Sequence, residues 1–107
     1  MRRRIFACAR RFADAGLRPG GHVLIQGPDG ADWGEALLGT LLAGGVAVPV
    51  EIGSDDLFRG KVARACGARL LVAPADVAAP DGVGKVPLGS WDVGEAARTT
   101  SAAVPAA

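Results

Sequence analysis

The stretch VLIQGPDGADWGEALLG, residues 23–39, has the residue types and spacing that come closest to a binding site. An apolar strand enters a Gly-Pro-Asp-Gly turn, residues 27–30, and a helix follows. Free backbone N–H groups at a helix N-terminus bind anions, so the turn is a candidate phosphate site. Its glycine spacing matches neither a P-loop nor the Gly-x-Gly-x-x-Gly fingerprint, and Pro28 has no N–H to donate. We therefore interpret the turn as a structural corner, with Asp32 capping the helix and Glu35 completing a capping box.

The other residues that could carry chemistry stand apart from one another in the chain. His22 is the only histidine, and Cys8 and Cys66 fall in helical patterns without a Cys-x-x-Cys pair. This spacing favours free, buried thiols in a reducing compartment over a disulfide or a metal site. We predict no catalytic, cofactor-binding or metal-binding residue in this chain.

Length and charge exclude several classes of protein. The chain has 107 residues, which suits one small domain, and its net charge of +1 gives no field for nucleic acid or a membrane surface. No run approaches the ~18 apolar residues of a membrane span. After a twin-arginine-like start, arginines interrupt the apolar stretch at residue 10, too early for a secretory signal. We expect a cytoplasmic protein, with a transit peptide as the alternative.

Hydrophobic periodicity indicates a repeated strand–helix pattern. Short apolar runs begin near residues 22, 46 and 69, and a helical pattern fills each gap. Such βαβ units form a parallel sheet, so the fold class is α/β, a three-layer parallel-sheet fragment. Residues 86–88 could add a fourth short strand. We assign residues 1–91 to this domain and predict that residues 92–107 are disordered.

The individual helices carry further predictions. A first helix buries Cys8 and Phe12 and ends at Gly16, and the leucines of the second cover a wide arc that predicts burial. In the third, Ser54 is the expected N-cap and Gly67 the C-cap. Phe58 belongs to its predicted apolar stripe. The basic residues of this helix, among them Arg59, are predicted to face water.

The segments from Ile5 to Ala73 resemble the N-terminal region of acyl-adenylate-forming enzymes, the AMP-dependent synthetase and ligase superfamily. In that family a helix ends at an Ala-Gly corner, and a Pro-Gly stretch leads into an apolar strand. A Pro-Asn-x-x-Glu-like turn follows, and a second helix ends in Ala-Gly-Ala-Val-x-Val-Pro. The matching landmarks of this chain are residues 15–16, 18–23, 28–33 and 43–49. CGARLLVAP is similar to the family's third strand, and PVEIGSDDLFRGKVARACGARLL resembles the long-chain acyl-CoA synthetase branch. Gly21-His22 departs from the family's usual Asp-Arg.

The resemblance implies the activation of a carboxylate with ATP, followed by transfer of the acyl group to a thiol. ATP, Mg²⁺ and coenzyme A are the cofactors it implies for a full-length enzyme, and none is assigned to this chain. The family's Ser/Thr/Gly-rich loop ending in Pro-Lys is missing, because residues 99–101 are followed by neither glycine nor lysine. The chain also has no tyrosine, which excludes the Tyr-x-x-Gly-Asp motif. We carry over no catalytic residue.

The resemblance therefore leads us to expect a truncated, incomplete N-terminal subdomain without adenylation activity of its own. It would be a gene fragment, a frameshifted product or half of a split protein. Its expected partners are the missing remainder of the enzyme or a second copy. Two alternatives stay open. One is a stand-alone α/β interaction module with an uncovered sheet edge. The other is a small nucleotide-binding domain in which Glu51 binds a ribose.

Overall fold

A computed structural model of the protein describes residues 2–91. Seven elements follow one another along this part of the chain. They are α1 (Arg2–Asp14), β1 (His22–Gln26), α2 (Ala31–Leu42), β2 (Val46–Val50), α3 (Asp56–Cys66), β3 (Leu70–Ala73) and β4 (Gly84–Pro87). The segment predicted to be disordered, residues 92–107, lies outside the described residues, and the domain boundary at residue 91 stays a prediction.

The four strands form one parallel sheet in the order β2-β1-β3-β4. Leu24 of the central strand β1 is paired with Val48 on one side and Leu71 on the other. The predicted α/β fold with a parallel sheet of βαβ units is confirmed, and the fourth strand adopts the same direction as the other three.

The sheet is the middle of three layers. On one face, α1 and α2 cover a core that includes Phe12, Val23 and Ile25. On the other face, α3 covers a second core that includes Leu24 and Ala63. Successive strand residues point to opposite faces, so each apolar run fills both cores in turn. This explains why the central strands read as continuous apolar runs rather than as alternating ones.

Both edges of the sheet are blunted by proline. The backbone N–H of Val46 donates to the Gly21 carbonyl at 2.8 Å, so alternate residues of β2 face β1. The backbone groups of Ala47 and Pro49 consequently point away from β1 at the open edge of the sheet, and Pro49 has no N–H to donate to an added strand. At the opposite edge, the hydrogen bonds of β4 to β3 put Pro87 in the equivalent outward position. Proline at these positions disfavours strand addition at either edge.

The predicted capping box at the start of α2 is wrong. Gly30 is the N-cap residue, with φ 154° and ψ −170°, and no side chain caps the helix. Asp32 instead pairs with Nη2 of Arg4 on α1 at 3.4 Å. The Asp32 carboxylate therefore pairs with an arginine of the neighbouring helix, whereas the sequence pattern predicts a hydrogen bond to the backbone of α2.

The predicted burial of the α2 leucines is wrong for three of the four, since only Leu37 is partly buried and packs against the core. The helix turns a face of small residues toward α1 and the sheet, and Gly39 touches Cys8 across the helix pair. Leu38, Leu41 and Leu42 point the other way and are 41%, 55% and 45% exposed. Close approach of two helices requires small residues at the contact, which leaves these three leucines on the outer face.

The α3 helix begins one residue later than predicted. Asp55, not Ser54, is the N-cap, and its Oδ1 accepts a 2.9 Å hydrogen bond from the backbone N–H of Phe58. Phe58 is 49% exposed rather than buried, whereas Arg59 is only 5% exposed. The C-cap prediction is confirmed, because Gly67 ends the helix in the left-handed conformation with φ 69°.

Candidate functional site

The turn that follows β1 lies at the carboxyl ends of the parallel strands, where open α/β sheets bind ligands. Gly30 has a backbone conformation that only glycine adopts readily, and it directs the chain into α2. Beside the turn is an open depression of about 490 Å³. Its lining residues are Gly27, Asp29, Trp33, Pro49, Val50, Glu51 and Ile52.

The charges of this depression do not suit a phosphate. Asp29 and Glu51 are both exposed at its rim, and its lining contains no lysine, arginine or histidine. A triphosphate placed there would meet two carboxylates without a compensating cation. Within residues 2–91, no group of three or more His, Cys, Asp and Glu residues could hold a metal ion. The residues around the turn therefore do not fit ATP with Mg²⁺.

A buried polar cluster fastens the loop after β2 to the end of β1. The side-chain amide of Gln26 donates to the carbonyls of Glu51 and Ser54, each at 3.1 Å. Nη1 of Arg59 donates to Gln26 Oε1 at 3.2 Å and to the Ser54 carbonyl at 2.6 Å, and Nη2 pairs with Asp56. Arg59 Nε is buried without a partner. Both Arg59 Nη atoms are satisfied by the chain itself, which gives this cluster a structural role.

Sequence reasoning placed Arg59 in water and did not identify this cluster. A signal was present in Gln26, the polar residue that ends an apolar strand and is only 3% exposed. A buried side-chain amide requires hydrogen-bond partners, and the nearest segment that can supply them is the loop at the end of the neighbouring strand.

A second cluster surrounds Glu35, whose exposed fraction is 4%. Arg4 Nε donates to both carboxylate oxygens at 2.9 and 3.0 Å, and the indole N–H of Trp91 donates to Oε1 at 2.9 Å. The Trp91 ring meets Phe12 edge to face, with ring centroids 5.8 Å apart. Glu35 thus connects α1, α2 and the segment after β4, and its oxygens are occupied by donors of the chain.

The remaining candidate residues lie far from the turn or from each other. His22 starts β1, at the opposite end of that strand from residues 27–30. Cys8 and Cys66 are free and belong to cores on opposite faces of the sheet. Burial raises the pKa of the Cys8 thiol, and the negative charge of Glu35 raises it further. Cys8 is therefore a neutral core side chain near pH 7 rather than a nucleophile.

Comparison with known proteins identifies a family whose pattern extends over nearly the whole chain. The model of the AMP-binding enzyme family matches residues 1–104. No curated protein matches the chain.

Solved structures share the fold at low sequence identity. A fatty acyl-adenylate ligase from Legionella pneumophila, in complex with acyl adenylate and pyrophosphate, has a TM-score of 0.76 at 21% identity over 89% of this chain. The nonribosomal peptide synthetase FmoA3 has a TM-score of 0.74 at 21% identity over 82% of it. The N-terminal subdomain of Klebsiella oxytoca NpsA, in complex with 3-hydroxybenzoyl-AMSN, has a TM-score of 0.69 at 26% identity over 78% of it.

The lengths of these proteins differ greatly from that of the present chain. The matched regions amount to 18% of the Legionella ligase, 10% of FmoA3 and 21% of the NpsA subdomain structure. The parallel α/β fold of residues 2–91 is thus the fold of one segment of these larger chains, and in NpsA that segment lies within the N-terminal subdomain.

Proposed function

Because the chain belongs to the AMP-binding enzyme family, we propose that it forms the N-terminal α/β segment of an ATP-dependent acyl-adenylate-forming ligase. We further propose that it does not catalyse adenylation alone. The long-chain acyl-CoA synthetase branch is the best candidate within the family, on the resemblance of residues 49–71.

One observation supports a structural rather than a catalytic role for this segment. The depression at the carboxyl end of the sheet, where an α/β fold binds its ligand, has two carboxylates and no cation. The polar clusters around Arg59 and Glu35 use their hydrogen-bonding groups to hold the fold together. A segment of this kind supplies support to a reaction centre built by other parts of the polypeptide.

The reaction of the complete ligase would join a carboxylate to AMP, with release of pyrophosphate, and then pass the acyl group to a thiol. ATP, Mg²⁺ and coenzyme A would be held by segments other than residues 2–91. The structure contains two free cysteines, which suits the reducing environment of the cytoplasm. None of the described helices is long and apolar enough to cross a membrane.

Pyrophosphate exchange tests this proposal. The purified full chain is incubated with ATP, Mg²⁺, labelled pyrophosphate and a panel of fatty and aromatic carboxylates, with the Legionella ligase as the positive control. We expect no carboxylate-dependent label in ATP from the chain alone. Exchange that saturates with one carboxylate would show that residues 1–107 contain a complete adenylation site and would refute the proposal.

A further inference from the structure

The order of the strands places a crevice between the carboxyl ends of β1 and β3. In a parallel sheet with the order β2-β1-β3, this is the topological switch point, at which open α/β sheets bind their ligands. The helix α2, which follows β1, covers one face of the sheet, and the loop after β3 packs against the other face. The two connections therefore diverge, and the crevice is bounded by Gly27 after β1 and by Pro74 after β3.

The chain itself fills this crevice. After β4, the backbone N–H of Leu88 donates to the Ala73 carbonyl at 2.8 Å, which holds the chain at the end of β3. The Leu88 side chain packs against the core beneath α1 and α2. It also reaches the end of β1, because a Cβ atom on Gly27 would lie 2.7 Å from Cδ2 of Leu88 and 3.6 Å from Cδ of Pro74. Leu88 therefore lies between the ends of the two strands, where a ligand of an open α/β sheet would lie.

The residues after Leu88 continue from the sheet to the first turns of α2, and we define the strap as residues 88–91. Gly89 lies against the Asp32 carboxylate, since a Cβ atom on this glycine would be 2.6 Å from Oδ2 of Asp32. The Gly89 carbonyl accepts a hydrogen bond from Nη2 of Arg4 at 3.3 Å. The strap thus passes over the carboxyl end of the sheet and is held by side chains of α1 and α2.

The strongest contact of the strap is at its end. The indole N–H of Trp91 donates to Oε1 of Glu35 at 2.9 Å, and these residues are only 5% and 4% exposed. Arg4 Nε donates to the same carboxylate, which fixes its position. Hydrogen bonds to an ionised acceptor are about twice as strong as those between neutral groups. Between Leu88 and Trp91, by contrast, Gly89 and Ser90 bury no apolar side chain.

We propose that residues 88–91 are a strap that closes the switch-point crevice, and that the hydrogen bond between Trp91 and Glu35 is its latch. The strap opens as a unit while the four-stranded sheet stays folded, because segments with few buried apolar contacts open locally. A ligand enters the crevice only when the strap is open. The inference is independent of the proposed function, since it concerns contacts within residues 2–91 and not the adenylation reaction.

Hydrogen exchange of single amides in the full chain, followed by NMR, tests the strap. The Leu88 N–H exchanges only when its bond to Ala73 breaks, whereas the amides of Leu24 and Leu71 report on the central strands. Trp91→Phe removes the donor of the latch and keeps an aromatic ring beside Phe12. Trp33→Phe is the matched control, since it makes the same change in a side chain of α2 that lines the depression beside Glu51.

We expect Trp91→Phe to speed the exchange of Leu88 by about tenfold or more, the effect of losing a hydrogen bond to a charged acceptor. Leu24 and Leu71 should keep their wild-type exchange rates to within about twofold, because the sheet stays folded. Trp33→Phe should leave the ratio of the Leu88 rate to the Leu71 rate unchanged. Equal acceleration at all three amides in Trp91→Phe would show that the strap opens only with the whole domain. Unchanged exchange at Leu88 would show that the latch does not hold it, and either result overturns the inference.

A second measurement tests whether the closed strap excludes a ligand. AMP is the probe, because nucleotides bind at the switch points of open α/β sheets. It is titrated into the wild-type full chain while the amide shifts of Gly27 and Leu88 are recorded. We expect neither amide to shift. A saturable shift at Gly27, with the Leu88 amide still protected from exchange, would mean that AMP binds while the strap is closed and would overturn the inference.

Discussion

Replacing Gly39 with alanine should destabilise the protein by pushing α1 away from α2. A Cβ atom on Gly39 would lie 2.6 Å from Sγ of Cys8, 2.8 Å from its Cβ and 3.2 Å from the backbone nitrogen of Ala9. Two of these contacts are shorter than carbon and sulfur tolerate, and none involves the far end of a flexible side chain. The helices must separate, or α2 must shift over the sheet.

The magnitude follows from two opposing effects. Alanine is favoured over glycine inside a helix by about 1 kcal/mol, and overpacking a well-filled core costs about 1–3 kcal/mol. The net loss expected for Gly39→Ala is therefore up to about 2 kcal/mol, which places it about 1–3 kcal/mol below an alanine substitution that meets no neighbour. Gly34→Ala on the same helix is the matched control, because its Cβ would meet nothing within 4 Å. That variant should gain up to about 1 kcal/mol.

Urea unfolding followed by circular dichroism measures both changes. A double-mutant cycle with Cys8→Gly isolates the contact, since removing the Cys8 side chain gives the new methyl group room. Gly39→Ala should cost less in that background than in the wild-type chain. If Gly39→Ala is as stable as Gly34→Ala, the close approach of α1 and α2 at this point is wrong.

Three further predictions concern the clusters and the sheet edge. Glu35→Ala should cost about 2–3 kcal/mol and alter tryptophan fluorescence, because it leaves the buried N–H of Trp91 without an acceptor; an unchanged urea midpoint would contradict this. Burial holds the pKa of Cys8 above its usual 9.0, so the folded state favours the neutral thiol. The contribution of this pKa difference to the free energy of unfolding is therefore fully present below pH 9 and is lost as the pH rises further. At pH 10 the wild-type chain should lose about 1 kcal/mol more than Cys8→Ser, and a thiol reagent should label Cys66 but not Cys8 at pH 8. Pro49→Val should increase self-association in sedimentation experiments, since it restores an outward N–H to an edge strand; a monomer at all concentrations would refute the blunted edge.

The fold class was accessible from the sequence because the apolar runs and the glycine signals repeat in a regular order. Buried strands, helix ends such as Gly67 and the sheet direction all follow from local pattern and from the geometry of βαβ units. The resemblance to adenylate-forming enzymes depended on the same landmarks, which are structural corners rather than catalytic motifs.

The errors arose where contacts distant in the chain decide the outcome. Asp32 fits a helix cap by its position, but it lies near Arg4 of another helix, and this contact is invisible in a local pattern. The leucines of α2 could be assigned to the core by hydrophobicity, yet Gly39 marks the face that packs against α1. Arginine is rarely buried, which favours water for Arg59, yet its guanidinium donates to the Gln26 side chain, the Ser54 carbonyl and the Asp56 carboxylate.

The most direct test of the scaffold role is pyrophosphate exchange by the chimera of this chain with the Legionella ligase. The chimera takes residues 1–107 from this protein and the catalytic segments from the ligase, and the ligase without its matched segment is the control. We expect cooperative thermal unfolding of the chimera and fatty-acid-dependent exchange well above that control. A chimera that unfolds cooperatively but exchanges no more label than the truncated ligase would contradict the role assigned to this chain.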